Sequence, residues 1–93
     1  MAERVRLRLE IHGRVQGVWF RGSAREEAVR LGVSGWARNR GDGSVEILAQ
    51  GSKANMDRFV AWCHRGPSAA HVTRVDEHAE PPGDDLTEFR IRY

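Results

Sequence analysis

This 93-residue sequence has only one cysteine, one lysine and three prolines. A lone Cys63 cannot close an intrachain disulfide or supply a Cys-x-x-Cys metal or redox pair, which points to a reducing cytoplasm. No stretch approaches the roughly 18 uninterrupted apolar residues of a membrane span. Met1-Ala2-Glu3-Arg4 meets charge at once, so no secretory apolar region is expected. Linkers, low-complexity tracts and obvious internal repeats are also missing. Nor does one sign of charge dominate: 15 Lys+Arg against 13 Asp+Glu leave +2. Fourteen of those 15 cations are arginine, the planar donor suited to carboxylate and phosphate. That balance permits a nucleic-acid partner without requiring one. With 40% hydrophobic residues and a mean hydropathy of −0.58, the chain fits one small soluble domain over residues 1–93.

What is present is a regular alternation of patterns. Val5, Leu7, Leu9 and Ile11 alternate with Arg4, Arg6, Arg8 and Glu10, the period of a strand with one buried and one wet face. Ala24, Ala28 and Leu31 then fall at helical spacing, predicting a helix from about Arg21 to Leu31 with Gly32 as its stop. Ser34–Arg40 reads as a second strand, Gly41-Asp42-Gly43 as a hairpin turn, and Val45–Ala49 as a third strand. Ser52 is a candidate N-cap for a second helix carrying a Met56, Phe59, Val60, Cys63 stripe and ended by Gly66-Pro67. His71–Ala79 is a strand in which Val72 and Val75 are out of phase, which a bulge would explain. Phe89–Tyr93 alternates as a last strand after the turn-rich Pro81–Asp85 loop. The order β-α-β-β-α-β plus a short terminal strand predicts an α+β, ferredoxin-like split βαβ fold. Two helices then cover one face of an antiparallel or mixed sheet.

Gly13-Arg14-Val15-Gln16-Gly17-Val18-Trp19-Phe20-Arg21 joins the first strand to the first helix. Glycines at both bends allow consecutive backbone N–H groups to converge, and a helix start adds its dipole, so an oxyanion is attracted. Arg21 could turn its guanidinium over the same point. The segment is not a Walker loop, because Gly17 is not followed by a Gly-Lys-Ser/Thr ending. On pattern alone, a plain βα turn fits the same residues.

The nine residues Gly13–Arg21 resemble the phosphate-loop signature of acylphosphatases. Gly35-Trp36-Ala37-Arg38-Asn39-Arg40-Gly41-Asp42-Gly43-Ser44-Val45-Glu46 is similar to that family's second signature, and Pro67, Val72, Val75 and Phe89–Tyr93 fit as well. The resemblance spans essentially the whole chain. It implies hydrolysis of small acyl phosphates to a carboxylate and inorganic phosphate, with no metal, no cofactor and no covalent intermediate. It implies Arg21 and Asn39 as the catalytic pair, with the backbone of Arg14, Val15, Gln16, Gly17, Val18, Trp19 and Phe20 holding the phosphate. Arg14 matches the motif but is not the catalytic arginine, and the Trp19 side chain occupies a variable position to which no role is carried over. Inorganic phosphate is then product and competitive inhibitor. No nucleic acid or membrane partner is implied, and a monomer is the default.

An asparagine amide takes no proton near neutral pH, so its expected contribution is to aim an attacking water. His12, His64, His71 and His78 sit on different predicted elements and read as surface residues. His71 and His78, seven apart, are expected on opposite faces of a regular strand. Cys63-His64-Arg65 invites comparison with cysteine phosphatases, but Ala69 stands where their loop needs arginine, and Cys63 completes the helix stripe. Trp36 and Trp62 could stack RNA bases, yet Val45–Gln50 lacks the interleaved aromatics of an RNA-binding strand. The nearest rival is an acylphosphatase-like domain serving a carbamoyl phosphate-handling maturation enzyme, whose chains run much longer.

Overall fold

The computed structural model describes residues 3–93; Met1 and Ala2, part of the charged N-terminal stretch noted above, lie outside it. Its elements are β1 (Arg4–Arg14), α1 (Phe20–Leu31), β2 (Ser34–Asn39), β3 (Val45–Ser52), α2 (Lys53–Arg65), β4 (His71–Glu80) and β5 (Phe89–Arg92). They form one five-stranded sheet in the order β4-β1-β3-β2-β5. β3 runs antiparallel to both β1 and β2, β4 is antiparallel to β1, and β5 is parallel to β2, so the sheet is mixed. Among the described residues, no helix is long and apolar enough to cross a membrane.

Period-two patterning builds the core. Cross-strand partners share a face, and the pairs Leu9–Ile47, Ile11–Val45, Ala37–Ile47 and Gly35–Phe89 line the face under the helices. Phe20, Ala24 and Ala28 of α1 and Met56, Phe59 and Cys63 of α2 close over them, all buried. Phe59 packs its ring 5.9 Å from Phe89, and Phe20 lies 5.3 Å from Trp62, joining the two helices. Cys63 is a core thiol whose burial pushes its pKa far above the ordinary value, so it offers no thiolate nucleophile. Trp62 is likewise committed to packing.

Helix ends follow their local chemistry. The Ser52 hydroxyl accepts from the Asn55 N–H at 3.2 Å, as the N-cap reading expects. Ser52→Ala is expected to lower unfolding free energy by about 1 kcal/mol, read as a shift in denaturant midpoint. α1 stops at Gly32, whose amide bonds back to the Ala28 and Val29 carbonyls.

The structure departs from the sequence reading in four places. β1 continues to Arg14 because β4 follows it through a register shift at His12/Gly13. Val72 opposes Gly13 and Val75 opposes Ile11, so the out-of-phase valines share the core face by means of this bulge. The bulge also corrects the histidine expectation: His71 and His78 come onto the same face, opposite Arg14 and Arg8, though far apart along the strand. β2 ends one residue early, at Asn39, and β3 runs on to Ser52 because β1 supplies partners as far as Arg4. Finally, the face away from the helices is not uniformly wet, since Arg6, Glu46 and Gln50 are buried there.

The chain must pass from one sheet edge, β4, to the other, β5, and its connecting segment crosses that second face. Gln50 holds the segment through Gly83, accepting from its N–H at 3.0 Å and donating to its carbonyl at 2.7 Å. Arg6 donates to Gln50 Oε1 at 2.8 Å and to Asp85 Oδ1 at 2.6 Å. This clamp delivers β5 to its place beside β2.

The Arg6 guanidinium holds the Asp85 carboxyl below its ordinary pKa, and Arg40 does the same for Glu10. A carboxyl depressed in the folded state stabilises it above the ordinary carboxylate range, and that contribution disappears as pH falls through the folded pKa. Thermal midpoint should therefore drop as pH is lowered below about 4. Arg6→Met should flatten that slope; an unchanged slope would contradict the clamp.

Candidate active site

β1 and β2 both run antiparallel to β3, so they are parallel to each other and their C-terminal ends meet at one edge of the sheet. The loop after β1 and the last residue of β2, Asn39, are thereby brought together. A cavity of about 240 Å³ opens there, lined by Val15, Gly17, Trp19, Phe20, Arg21, Gly22, Asn39, Ile91 and Tyr93. Arg21 and Asn39 are 18 positions apart in sequence and share this one cavity. A larger hollow of about 810 Å³ lies alongside between α1 and β5, but it contains neither residue.

The loop has the backbone freedom its glycines suggested. Gly13 has φ of +123°, and a Cβ there would stand 2.1 Å from the His71 carbonyl oxygen of β4. Gly17 bends at φ +74°. Among the described residues, no backbone N–H from Gln16 through Trp19 donates to a protein acceptor. α1 begins immediately afterwards with no side-chain cap and no acidic residue in its first turn. Free amides and an uncapped helix start both favour negative charge at this point.

Arg21 stands in the first turn of α1. Its Nη1 donates to the Arg92 carbonyl at 2.9 Å and its Cζ lies 4.8 Å from the Tyr93 ring centroid. No carboxylate pairs with it among the described residues, so its charge is uncompensated. Asn39 is exposed, and its side chain makes no hydrogen bond to protein among the described residues, leaving both ends of the amide free for solvent. Of the expected loop residues, Val15, Gly17, Trp19 and Phe20 line the cavity, whereas Arg14, Gln16 and Val18 do not. Arg14 is exposed beyond it.

Sequence reasoning treated Gln16 only as backbone. Its side chain donates to the carbonyls of Arg40 at 2.8 Å and Ser44 at 2.9 Å, tying the loop to the β2–β3 turn beside Asn39. A polar amide between Val15 and Val18 was the only sequence hint of this strut. The strand β5 was also missed as part of the site, because its proximity to Arg21 depends on the long crossing from β4.

The histidines do not enter the cavity. His12 joins Glu10 and Asp76 on the opposite sheet face, one donor atom of each within 4.8 Å of the others. Glu10 is already engaged by Arg40 at 2.7 Å and His78 at 3.4 Å, and Asp76 by Arg74 at 3.1 Å, so the group reads as an ion-pair network. Trp36 lies on that face between the Arg38 and Arg92 guanidinium groups, at 5.6 and 4.7 Å.

The acylphosphatase family model matches residues 7–91. The chain belongs to that family. It is 50% identical to an acylphosphatase of Anaeromyxobacter dehalogenans (strain 2CP-C) over 93 residues, covering all of both chains. The crystal structure of acylphosphatase from Bacillus subtilis superposes with a TM-score of 0.91 at 35% identity, covering 96% of this chain and 99% of that one. A full-length HypF structure shares the fold with a TM-score of 0.84, at 19% identity over 12% of its length. These two acylphosphatase relatives are matched over 99–100% of their length, and the HypF likeness is one of fold.

Proposed function

We propose that this acylphosphatase holds the phosphoryl group of an acyl phosphate with the Arg14–Phe20 backbone and the Arg21 guanidinium, while Asn39 aims a water at phosphorus. The observation that carries the reading is that, among the described residues, no protein group accepts from the amides of Gln16 to Trp19, beside an arginine with no carboxylate partner and an asparagine amide with no protein hydrogen bond. The water oxygen forms a new bond to phosphorus, the bond from phosphorus to the acyl oxygen breaks, and the carboxylate leaves with that electron pair. The water's proton passes to a phosphate oxygen or to solvent. A carboxylate needs little acid assistance to depart, which suits a cavity without carboxylate, histidine or thiol. A loose phosphoryl-transfer transition state asks mainly for alignment and charge stabilisation.

The working unit in this reading is a monomer. The free, buried Cys63 supports a reducing, cytoplasmic setting.

Steady-state hydrolysis of benzoyl, acetyl and carbamoyl phosphates tests the reading, with a phosphomonoester as negative control. The anhydrides should turn over and the monoester should not. EDTA should leave the rate unchanged; a loss restored by a divalent ion would contradict metal-free catalysis. Because no lining residue is a conventional acid or base, kcat should stay flat from about pH 5 to about 8. A bell-shaped profile in that window would point to a general base outside this scheme.

A further inference from the structure

Trp19 has no part in holding phosphate beyond its backbone, yet the fold places its side chain at a local cost. It has φ of +61°, and it is the one non-glycine residue with positive φ among the described residues. A bulky side chain in that conformation is strained, because its Cβ crowds the following carbonyl oxygen. The next turn carries a second concession, a glycine inside helix α1, which is a poorer helix former than alanine. The two belong together. A Cβ on Gly22 would stand 2.3 Å from Trp19 Cε2 and 2.4 Å from Nε1, so the missing side chain is the notch in which the indole lies. Despite that seat, the residue remains 65% exposed.

The indole stands between two hollows. It lines the catalytic cavity with Arg21 and Asn39, and it also lines a groove of about 460 Å³ along α1 with Gly22, Val29 and Ile91. Among the described residues, the large hydrophobic side chains left exposed are Trp19, Val29 and Tyr93, and all three border the catalytic cavity or the hollows next to it. Apolar surface gathered beside a reaction site marks a binding surface rather than scattered exposure.

We propose that the Trp19 indole, seated on Gly22, is the shelf for the acyl group, selecting acyl phosphates with an aromatic or extended apolar acyl portion. The inference rests on the site reading above, which puts the phosphoryl end against the Gln16–Trp19 amides. The acyl end of a substrate held there leaves the cavity past Trp19, toward Val29 and Ile91. A small acyl group such as acetyl is too short to use this surface, whereas an aryl group stacks on the indole.

The test compares kcat/KM for benzoyl and acetyl phosphate in the wild type and in two variants. Trp19→Asn keeps a residue that tolerates the left-handed backbone while removing the aromatic face. Trp19→Phe keeps a smaller face. The benzoyl-to-acetyl ratio should fall about tenfold in Trp19→Asn, mainly through KM for benzoyl phosphate, and be largely retained in Trp19→Phe. An unchanged ratio in Trp19→Asn, or an equal loss with both substrates, overturns the shelf. Failure of the wild type to hydrolyse either anhydride would instead overturn the site reading beneath it.

Discussion

In Arg21→Gln, kcat/KM for benzoyl phosphate is expected to fall by about 10²–10³, the usual cost of removing one charge-stabilising donor from a transition state. Competitive inhibition by inorganic phosphate should weaken in the same variant by about 10–100-fold, because the lost contact is a charge-assisted hydrogen bond to the anion. Both effects come from one source. Arg21 is the only charged side chain lining the catalytic cavity, and it has no carboxylate partner among the described residues. Glutamine retains a donor but neither the charge nor the fork. The fold should tolerate the change, since the Arg21 contacts to Arg92 and Tyr93 lie at the surface. Turnover and phosphate inhibition measured on one preparation decide the matter. Loss of rate with unchanged inhibition would separate Arg21 from phosphate binding and end its proposed role.

Asn39→Ala should divide the two measurements that Arg21→Gln moves together. Its amide is placed to touch water rather than the anion, so kcat should fall about 10²-fold, as expected when an attacking group is no longer held in line. Inhibition by phosphate should stay within about threefold, well below the cost of a lost charge-assisted contact. Asn39 is exposed at the end of β2, and its backbone pairing with Val45 does not need the side chain, so stability should change little. Near-normal turnover of benzoyl phosphate by Asn39→Ala would remove the water-aiming role. A parallel loss of phosphate inhibition would make Asn39 an anion ligand instead.

Taken as a pair, the two variants test a division of labour that is also spatial. Arg21 and the loop belong to the β1–α1 connection, Asn39 to the tip of β2. The Gln16 side chain is the strut between them, because it reaches the Arg40 and Ser44 carbonyls that frame the β2–β3 turn.

Much of this was legible before any coordinates. Alternation in Val5–Ile11 and the stripe Met56, Phe59, Cys63 have single-period patterns, and a side chain's face follows from its position in such a pattern. Arg21 and Asn39 are named by the resemblance of two contiguous motifs, and each lies at an element boundary. The failures share a cause. Arg6, Glu46 and Gln50 occupy positions of a wet face; the segment crossing from β4 to β5 holds Arg6 and Gln50, while the Arg38 and Arg8 side chains pair with Glu46. Likewise the His71–His78 pairing of faces depended on a bulge whose existence two valines hinted at but whose place β1 decided.

The sequence by itself determined the order of elements, the apolar face of all but β4 and the glycine-bent loop that leads to Arg21, because these are set by neighbours a few residues apart. The tertiary structure alone decided that β5 closes one side of the cavity holding Arg21 and Asn39, and that Gly22 makes room for the Trp19 indole. Those relations join residues through strand pairing and through the turn of a helix against a loop. Such distances are fixed only when the buried apolar faces have come together.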